Sequence, residues 1–300
     1  FSKAPFNWKI LNFQVIMELS NYTHWEIVSY VQVFLFAILL VAFLVITSIK
    51  KKERKGLRQI LPFFIFFTIF LVLKIVGGIL GLVFIHQKTF NVSLFIPTFI
   101  FDSIGLGFIA RSITSLVTHN FKYQDDLPEF FRSKHQKAKN NNSSNAYKKS
   151  DNDSDNYNDD NDEINYWPFR VLTIILIAAI VVNIVGTNIS VNNQGSSMGT
   201  SLIKVGSILF LIEILLMILF LVTIGLSGSQ LNTVVYLLIV GLVVLIVRCV
   251  FSILSGFHWS TWENPSPYII YFGKYQYYTF LALLPEVITA IIILVAFMFW

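Results

Sequence analysis

The sequence predicts an all-α protein: a polytopic integral membrane bundle of seven transmembrane helices, with its N-terminus outside and its C-terminus cytoplasmic. Three observations predict it. Seven apolar stretches meet or nearly meet the length needed to cross a bilayer, since a hydrocarbon core of ~30 Å asks for about 20 helical residues. The composition is 55% hydrophobic and 13% charged, with a mean hydropathy of +0.67, where soluble proteins carry about 25% charged residues. The lysines and arginines gather on alternate connections. Inside lipid the backbone must satisfy its own hydrogen bonds, so apolar runs of this length are helices.

The first span, Ile27–Ile49, follows an outer segment, 1–26, and ends in the basic run Lys50-Lys51-Lys52-Glu53-Arg54-Lys55, with Arg58 next. The second, Ile60–Ile85, holds Lys74 and the small-residue run Gly77-Gly78-Ile79-Leu80-Gly81, which lets helices approach closely. The third, Leu94–Thr118, holds Asp102, Gly105-Leu106-Gly107 and Arg111; so near the inner end, an arginine snorkels to the headgroups. Residues 27–118 thus form the first three helices.

From 119 to 167 the apolar pattern stops. Lys134–Lys149 is basic and rich in Asn and Ser, and Asp151–Glu163 is acidic and Asn-rich. A polar tract without aliphatic residues cannot offset its ordering entropy, so a disordered cytoplasmic loop is expected. Asp153, Asp155, Asp159 and Glu163 imitate a calcium loop, but the glycine of its sharp turn and its flanking helices are missing.

Residues 168–300 carry the remaining four spans. Phe169–Ile189 is apolar throughout its centre; Leu202–Leu226 holds Glu213, with Lys204 as an anchor at its outer boundary. Val234–Phe257 holds Arg248 and the single cysteine, Cys249, which excludes an intrachain disulfide and a Cys-based metal site. Tyr278–Trp300 holds Glu286 beside Pro285, where a missing backbone N–H predicts a kink. The last outer loop, Gly256–Pro265, runs on to Tyr268, Tyr271, Tyr275, Tyr277 and Tyr278. It reads as an aromatic belt at the headgroup level or as a lid over a polar cavity. Phe1 is not an initiator and the seventh span reaches the last residue, which leaves room for a removed signal peptide or a trimmed end.

Orientation follows from charge. Thirteen basic residues fall on the first and third connections, against Lys3, Lys9, Lys88 and Lys274 on the opposite side, and cytoplasmic loops retain the excess. Acceptor triplets for N-glycosylation begin at Asn21, Asn91 and Asn188, all on the outer side. The basic balance of +5 therefore belongs to helix ends, and no nucleic-acid partner is expected.

An ionisable residue at bilayer depth costs about 2.5–3.5 kcal/mol on insertion scales and usually faces the bundle interior with a partner. Lys74, Asp102, Glu213, Arg248 and Glu286 are expected at similar depth in the outer half of the bundle, three acids with two bases. Two uses remain open: a buried cluster that docks helices, or a polar cavity that binds a headgroup, an ion or a proton. Arg248 is expected within reach of Asp102, Glu213 or Glu286.

Asp102-Ser103-Ile104-Gly105-Leu106, Val247-Arg248-Cys249-Val250-Phe251 and Leu284-Pro285-Glu286 carry a resemblance. Across all seven spans the chain resembles the fungal seven-helix membrane proteins of unknown function. More distantly it is similar to the fungal lipid-translocating exporter family linked to resistance to toxic amphiphiles. The Asn-rich loops resemble those of an AT-rich yeast. Receptor signatures are missing: Ala110-Arg111-Ser112 replaces an acidic-Arg-aromatic triplet, and span seven lacks Asn-Pro-X-X-Tyr. His24, His86, His119, His135 and His258 lie in connections or at span edges, unlike the embedded histidines of seven-helix zinc hydrolases. No catalytic motif, metal set or cofactor is expected.

The expected protein is thus a non-enzymatic multi-pass protein of the plasma membrane or an endomembrane. It binds or translocates a lipid or other amphiphile through an outer polar cavity. The alternatives are a receptor signalling through cytoplasmic partners at Lys50–Arg58 or the 119–167 loop, and a non-catalytic scaffold.

Overall fold

The computed structural model describes residues 19–53, 61–87, 92–121, 167–192, 196–227, 233–258 and 266–299. Asn91 and all but the helical ends of the 119–167 loop lie outside the described residues. Among them are seven helices, each long and apolar enough to cross a membrane. They are α1 (Leu19–Glu53), α2 (Leu61–His86), α3 (Val92–Phe121), α4 (Trp167–Asn192), α5 (Ser197–Ser227) and α6 (Thr233–Phe257), with α7 over Tyr275–Phe299.

Several helices begin before the apolar run does. α1 starts at Leu19 rather than Ile27, α5 at Ser197 rather than Leu202, and α7 at Tyr275 rather than Tyr278. Hydropathy marks where the hydrocarbon core begins, whereas the backbone ladder continues through polar residues as long as it remains satisfied. At 1.5 Å per residue, α1 is about 52 Å long, well beyond the core thickness.

Consecutive helices run antiparallel. Phe84 near the end of α2 meets Phe95 near the start of α3 with ring centroids 5.8 Å apart. Arg111 in the second half of α3 donates to Thr173 Oγ1 near the start of α4 at 2.5 Å. α7 closes the bundle, packing on α6 and also on α1 and α3. It runs parallel to α1: Trp25 lies 5.5 Å from Tyr278 at one face, and Lys50 Nζ donates to Phe297 O at 2.5 Å at the other. The last carbonyls of a helix lack intrahelical partners, so an ammonium there both bonds the backbone and matches the dipole. α7 is the most buried helix and α1 the least.

Large apolar side chains point both ways, as a lipid solvent allows. Phe43, Phe63, Phe67 and Phe297 form a buried cluster beneath Lys50, while Phe34, Ile38, Val41 and Val45 of α1 are exposed. The opposite face of the bundle is covered by a short strap, residues 266–274, that leads into α7. The strap is folded on itself: Ile269 N–H donates to Ser266 O at 3.2 Å, Gly273 N–H to Ile269 O at 2.7 Å, and Lys274 N–H to Pro267 O at 2.9 Å. Tyr271 holds a φ of 67°, a left-handed conformation uncommon for any residue but glycine.

The break expected at Pro285 takes the form of a π-helical turn, Thr279–Leu283, in which Leu284 N–H donates to Thr279 O. Proline has no N–H for the carbonyl four residues back. One wider turn ahead of it absorbs the mismatch and lets α7 continue.

Candidate functional site

Four of the intramembrane charges meet in a closed ring. Lys74 Nζ lies 2.7 Å from Asp102 Oδ1 and 2.6 Å from Glu286 Oε2. Arg248 completes the circuit, Nη2 to Asp102 Oδ2 at 2.6 Å and Nε to Glu286 Oε1 at 2.8 Å. Cations and carboxylates alternate, so the ring as a whole is neutral. α2, α3, α6 and α7 supply one member each. Lys74, Arg248 and Glu286 are fully buried and Asp102 is 8% exposed. Glu286 Oε2 faces the ammonium off the hydrogen-bonding direction, so that contact is an ion contact only. The other three are aligned hydrogen bonds. Helix rise puts all four about 14–18 Å below the helix ends on the strap side.

Local sequence explains how long side chains fit so closely. A Cβ on Gly105 would lie 2.8 Å from Lys74 Cε, so glycine there opens the path along which the lysine stem crosses α3 to Asp102. Ser252, one helical turn after Arg248, accepts from Nη1 at 2.6 Å. Gln32 on α1 donates to Lys74 O at 2.9 Å. Its carbonyl lies 3.0 Å from the Tyr278 hydroxyl, which is also 3.1 Å from Asp102 Oδ1. One phenolic proton thus serves two acceptors in turn.

Two cavities flank Asp102. The first, about 10 Å³, is lined by Gln32, Lys74, Thr98, Asp102, Tyr271 and Tyr278 among others. The second, about 20 Å³, is lined on its polar side by Asp102, Asn183, Ser207, Arg248, Ser252 and Ser255. Room for one water takes about 10–15 Å³ on this measure, so each cavity is about the size of one. Asn183 Oδ1 and Ser255 Oγ are buried without a protein partner, and a water in the second cavity would satisfy groups that are costly to leave bare. Ile270 of the strap lines both cavities.

The strap is seated by aromatic packing. Tyr271 lies 5.1 Å from Trp25 and 5.6 Å from Phe84, ring to ring, and Trp25 Nε1 donates to Gly273 O at 3.3 Å. Burial pushes the Tyr271 phenol above its ordinary range, the Asp102 charge acts in the same direction, and the polar Ser29 side chain opposes them. The hydroxyl therefore keeps its proton at neutral pH.

Glu213 corrects the five-member cluster. It lies apart from the ring, 1% exposed, with both carboxylate oxygens lacking a partner. α5 begins at Ser197, which sets Glu213 about 24 Å along its helix and deeper than the ring. α5 also packs on α4 and α6, touching α3 only slightly, so it borders neither Lys74 nor Glu286. The charge that acts on Glu213 is Arg111, which stacks over Phe66 at 5.4 Å while bonding Thr173. Lys204 lies 5.1 Å from the Phe257 ring centroid, at the strap-side end where an anchor is expected. Asn188 is exposed within α4, one turn short of its end.

Gln32, Tyr278 and Ser252 belong to the site and were absent from the sequence-derived set. Gln32 is an amide inside an apolar run and Ser252 shares a helix face with Arg248, so both carried a readable signal. Tyr278 was read as belt.

Residues 151–299 match the family described as a domain of unknown function, DUF7702. That stretch includes α4 to α7 and so holds Arg248 and Glu286, while Lys74 and Asp102 precede it. Nothing in this similarity speaks to a fungal source or to lipid export. No curated protein and no solved structure matches the chain.

Proposed function

We propose that this multi-pass protein is non-enzymatic and binds or moves a lipid or other amphiphile whose polar head engages the ion ring from the strap face. The observation that carries this reading is the ring's placement: four buried charges next to two water-sized polar cavities, with strap residues Ile270 and Tyr271 in the cavity walls. Charges at bilayer depth mark functional sites by default. A neutral ring can exchange partners with a zwitterionic or hydroxyl-bearing head without changing the net charge of the membrane interior. Exposed apolar helix surfaces supply the matching contact for acyl chains.

The thirteen-to-four bias and the outer acceptor triplets support an outside N-terminus and a cytoplasmic C-terminus, which makes the strap face the outer one. A tag after Trp300 should then be reached by protease only from the cytosolic side. The plasma membrane or an endomembrane of a fungal cell suits this reading, the source resting on the resemblance of the loops and ring segments.

Complete pairing of the ring favours a second reading, a scaffold in which the charges only dock α2, α3, α6 and α7. Lipid analysis of protein purified in mild detergent separates the two. A defined lipid enriched over the bulk membrane in the native protein, and lost in Glu286→Gln, supports the binding site. An empty bundle, or the same lipid in both proteins, leaves the scaffold. A receptor would instead show a ligand-dependent cytoplasmic partner on Lys50–Arg58 or the 119–167 loop.

A further inference from the structure

We propose that the strap, residues 266–274, is the gate of the ion ring, and that the Tyr271 side chain is its latch. The proposal rests on the ring being the site at which a polar head binds. Ile270 lines both cavities beside Asp102, and Tyr271 lines the one that also touches Lys74 and Tyr278. Ile269, Ile270 and Tyr271 are all buried, so the strap lies in the mouth of the bundle as a plug. Among the described residues, the strap stands between this face and the ring.

The latch is a fit between distant parts of the chain. A Cβ on Gly81 would overlap the Tyr271 hydroxyl and crowd Cζ, so the tyrosine occupies a notch that exists because α2 has glycine there. Trp25 and Phe84 flank the ring at 5.1 and 5.6 Å and hold it in the notch. The backbone of Tyr271 is left-handed at φ 67°, which a β-carbon disfavours and which persists only where surroundings over-determine it. Seating of the ring in the notch supplies that constraint. Once the side chain withdraws, the backbone is free to leave the strained region, so seated and withdrawn are two discrete states rather than a continuum. The strap thus has the parts of a gate: a plug over the cavities, a latch, and stored strain that favours release when the latch is lost.

The experiment reads access to the cavity with a water-soluble maleimide on detergent-solubilised full-length protein, so neither sidedness nor a lipid ligand enters. In a Cys249→Ala background, Thr98→Cys places the only thiol on the wall of the Lys74 and Asp102 cavity. Two variants release the latch from opposite sides: Tyr271→Gly removes the latch side chain and tolerates the positive φ, and Gly81→Ala fills the notch while leaving the strap sequence unchanged. Gly241→Ala on α6, which lines neither cavity and whose added Cβ would meet only ordinary contacts at Ile292 and Thr289, is the control. A strap open about 1–10% of the time leaves room for at least about tenfold faster labelling in both latch variants, with the control unchanged. Unchanged labelling in both latch variants overturns the gate, as does equal acceleration in the Gly241→Ala control. An empty lipid analysis would remove the binding role of the ring yet leave this labelling result standing.

Discussion

The ion ring and Glu213 are both buried charge in the same bundle, and they solve the same problem in opposite ways. Around the ring, four helices converge so that each cation meets two carboxylates. Around Glu213, neither oxygen has a partner, and the arginine that acts on it is engaged with Thr173 and Phe66. An apolar medium makes a paired charge strong and an unpaired one costly. The two regions should therefore respond to charge removal with opposite sign, which makes the comparison breakable.

The largest effect is expected from Arg248→Met. It leaves Asp102 and Glu286 sharing Lys74 alone, and breaking a buried pair from one side costs about 3–5 kcal/mol. Expression and thermal midpoint in detergent should both fall. Adding Glu286→Gln returns the remaining Lys74–Asp102 pair to balance and should recover much of the midpoint. A midpoint little changed in Arg248→Met itself would mean that water screens the ring, and that the ring docks nothing.

Tyr278→Phe is the intermediate case. It removes one hydroxyl that two acceptors share, and a typical intramolecular hydrogen bond is worth about 0.5–1.5 kcal/mol net. A modest drop in midpoint is expected, smaller when Gln32→Leu is already present, since then one of the acceptors has gone. Additive losses in that double-mutant cycle would show that the Tyr278–Gln32 bond adds nothing to stability and that Asp102 alone holds the hydroxyl.

The ring was largely legible in the sequence because Lys74, Asp102, Arg248 and Glu286 interrupt apolar runs, and charge in such a run must find a partner. Seven helices were legible for the same reason, since lipid leaves the backbone no alternative. Glu213 was misplaced because depth was counted from where hydropathy rises, and the polar first turn of α5, from Ser197, hides the true start. The Tyr271 latch was beyond reach: its left-handed backbone is set by a notch at Gly81 on another helix, and no local pattern encodes a fit between distant segments. The glycines of α2 and α3 announced close packing. That Gly105 makes way for a lysine stem, and Gly81 for a tyrosine, is tertiary information.

The smallest effect, and the sharpest on the comparison, is expected from Glu213→Gln. Glutamine keeps the shape of the side chain and offers one donor group and one acceptor in place of two acceptors. Because neither oxygen of Glu213 is bonded, the substitution breaks no contact, and it removes whatever penalty the buried carboxyl carries as an ion. The midpoint should stay within about 0.5 kcal/mol of the native value or rise. This is the reverse of what the same change does at Glu286, where two cations lose a shared anion. Arg111→Gln, measured beside it, tells whether the long-range attraction between the two residues matters: with no direct bond between them, the two substitutions should add. A loss at Glu213→Gln as large as that at Glu286→Gln would mean that Arg111 turns from Thr173 to pair with it. The two regions would then differ only in the number of partners.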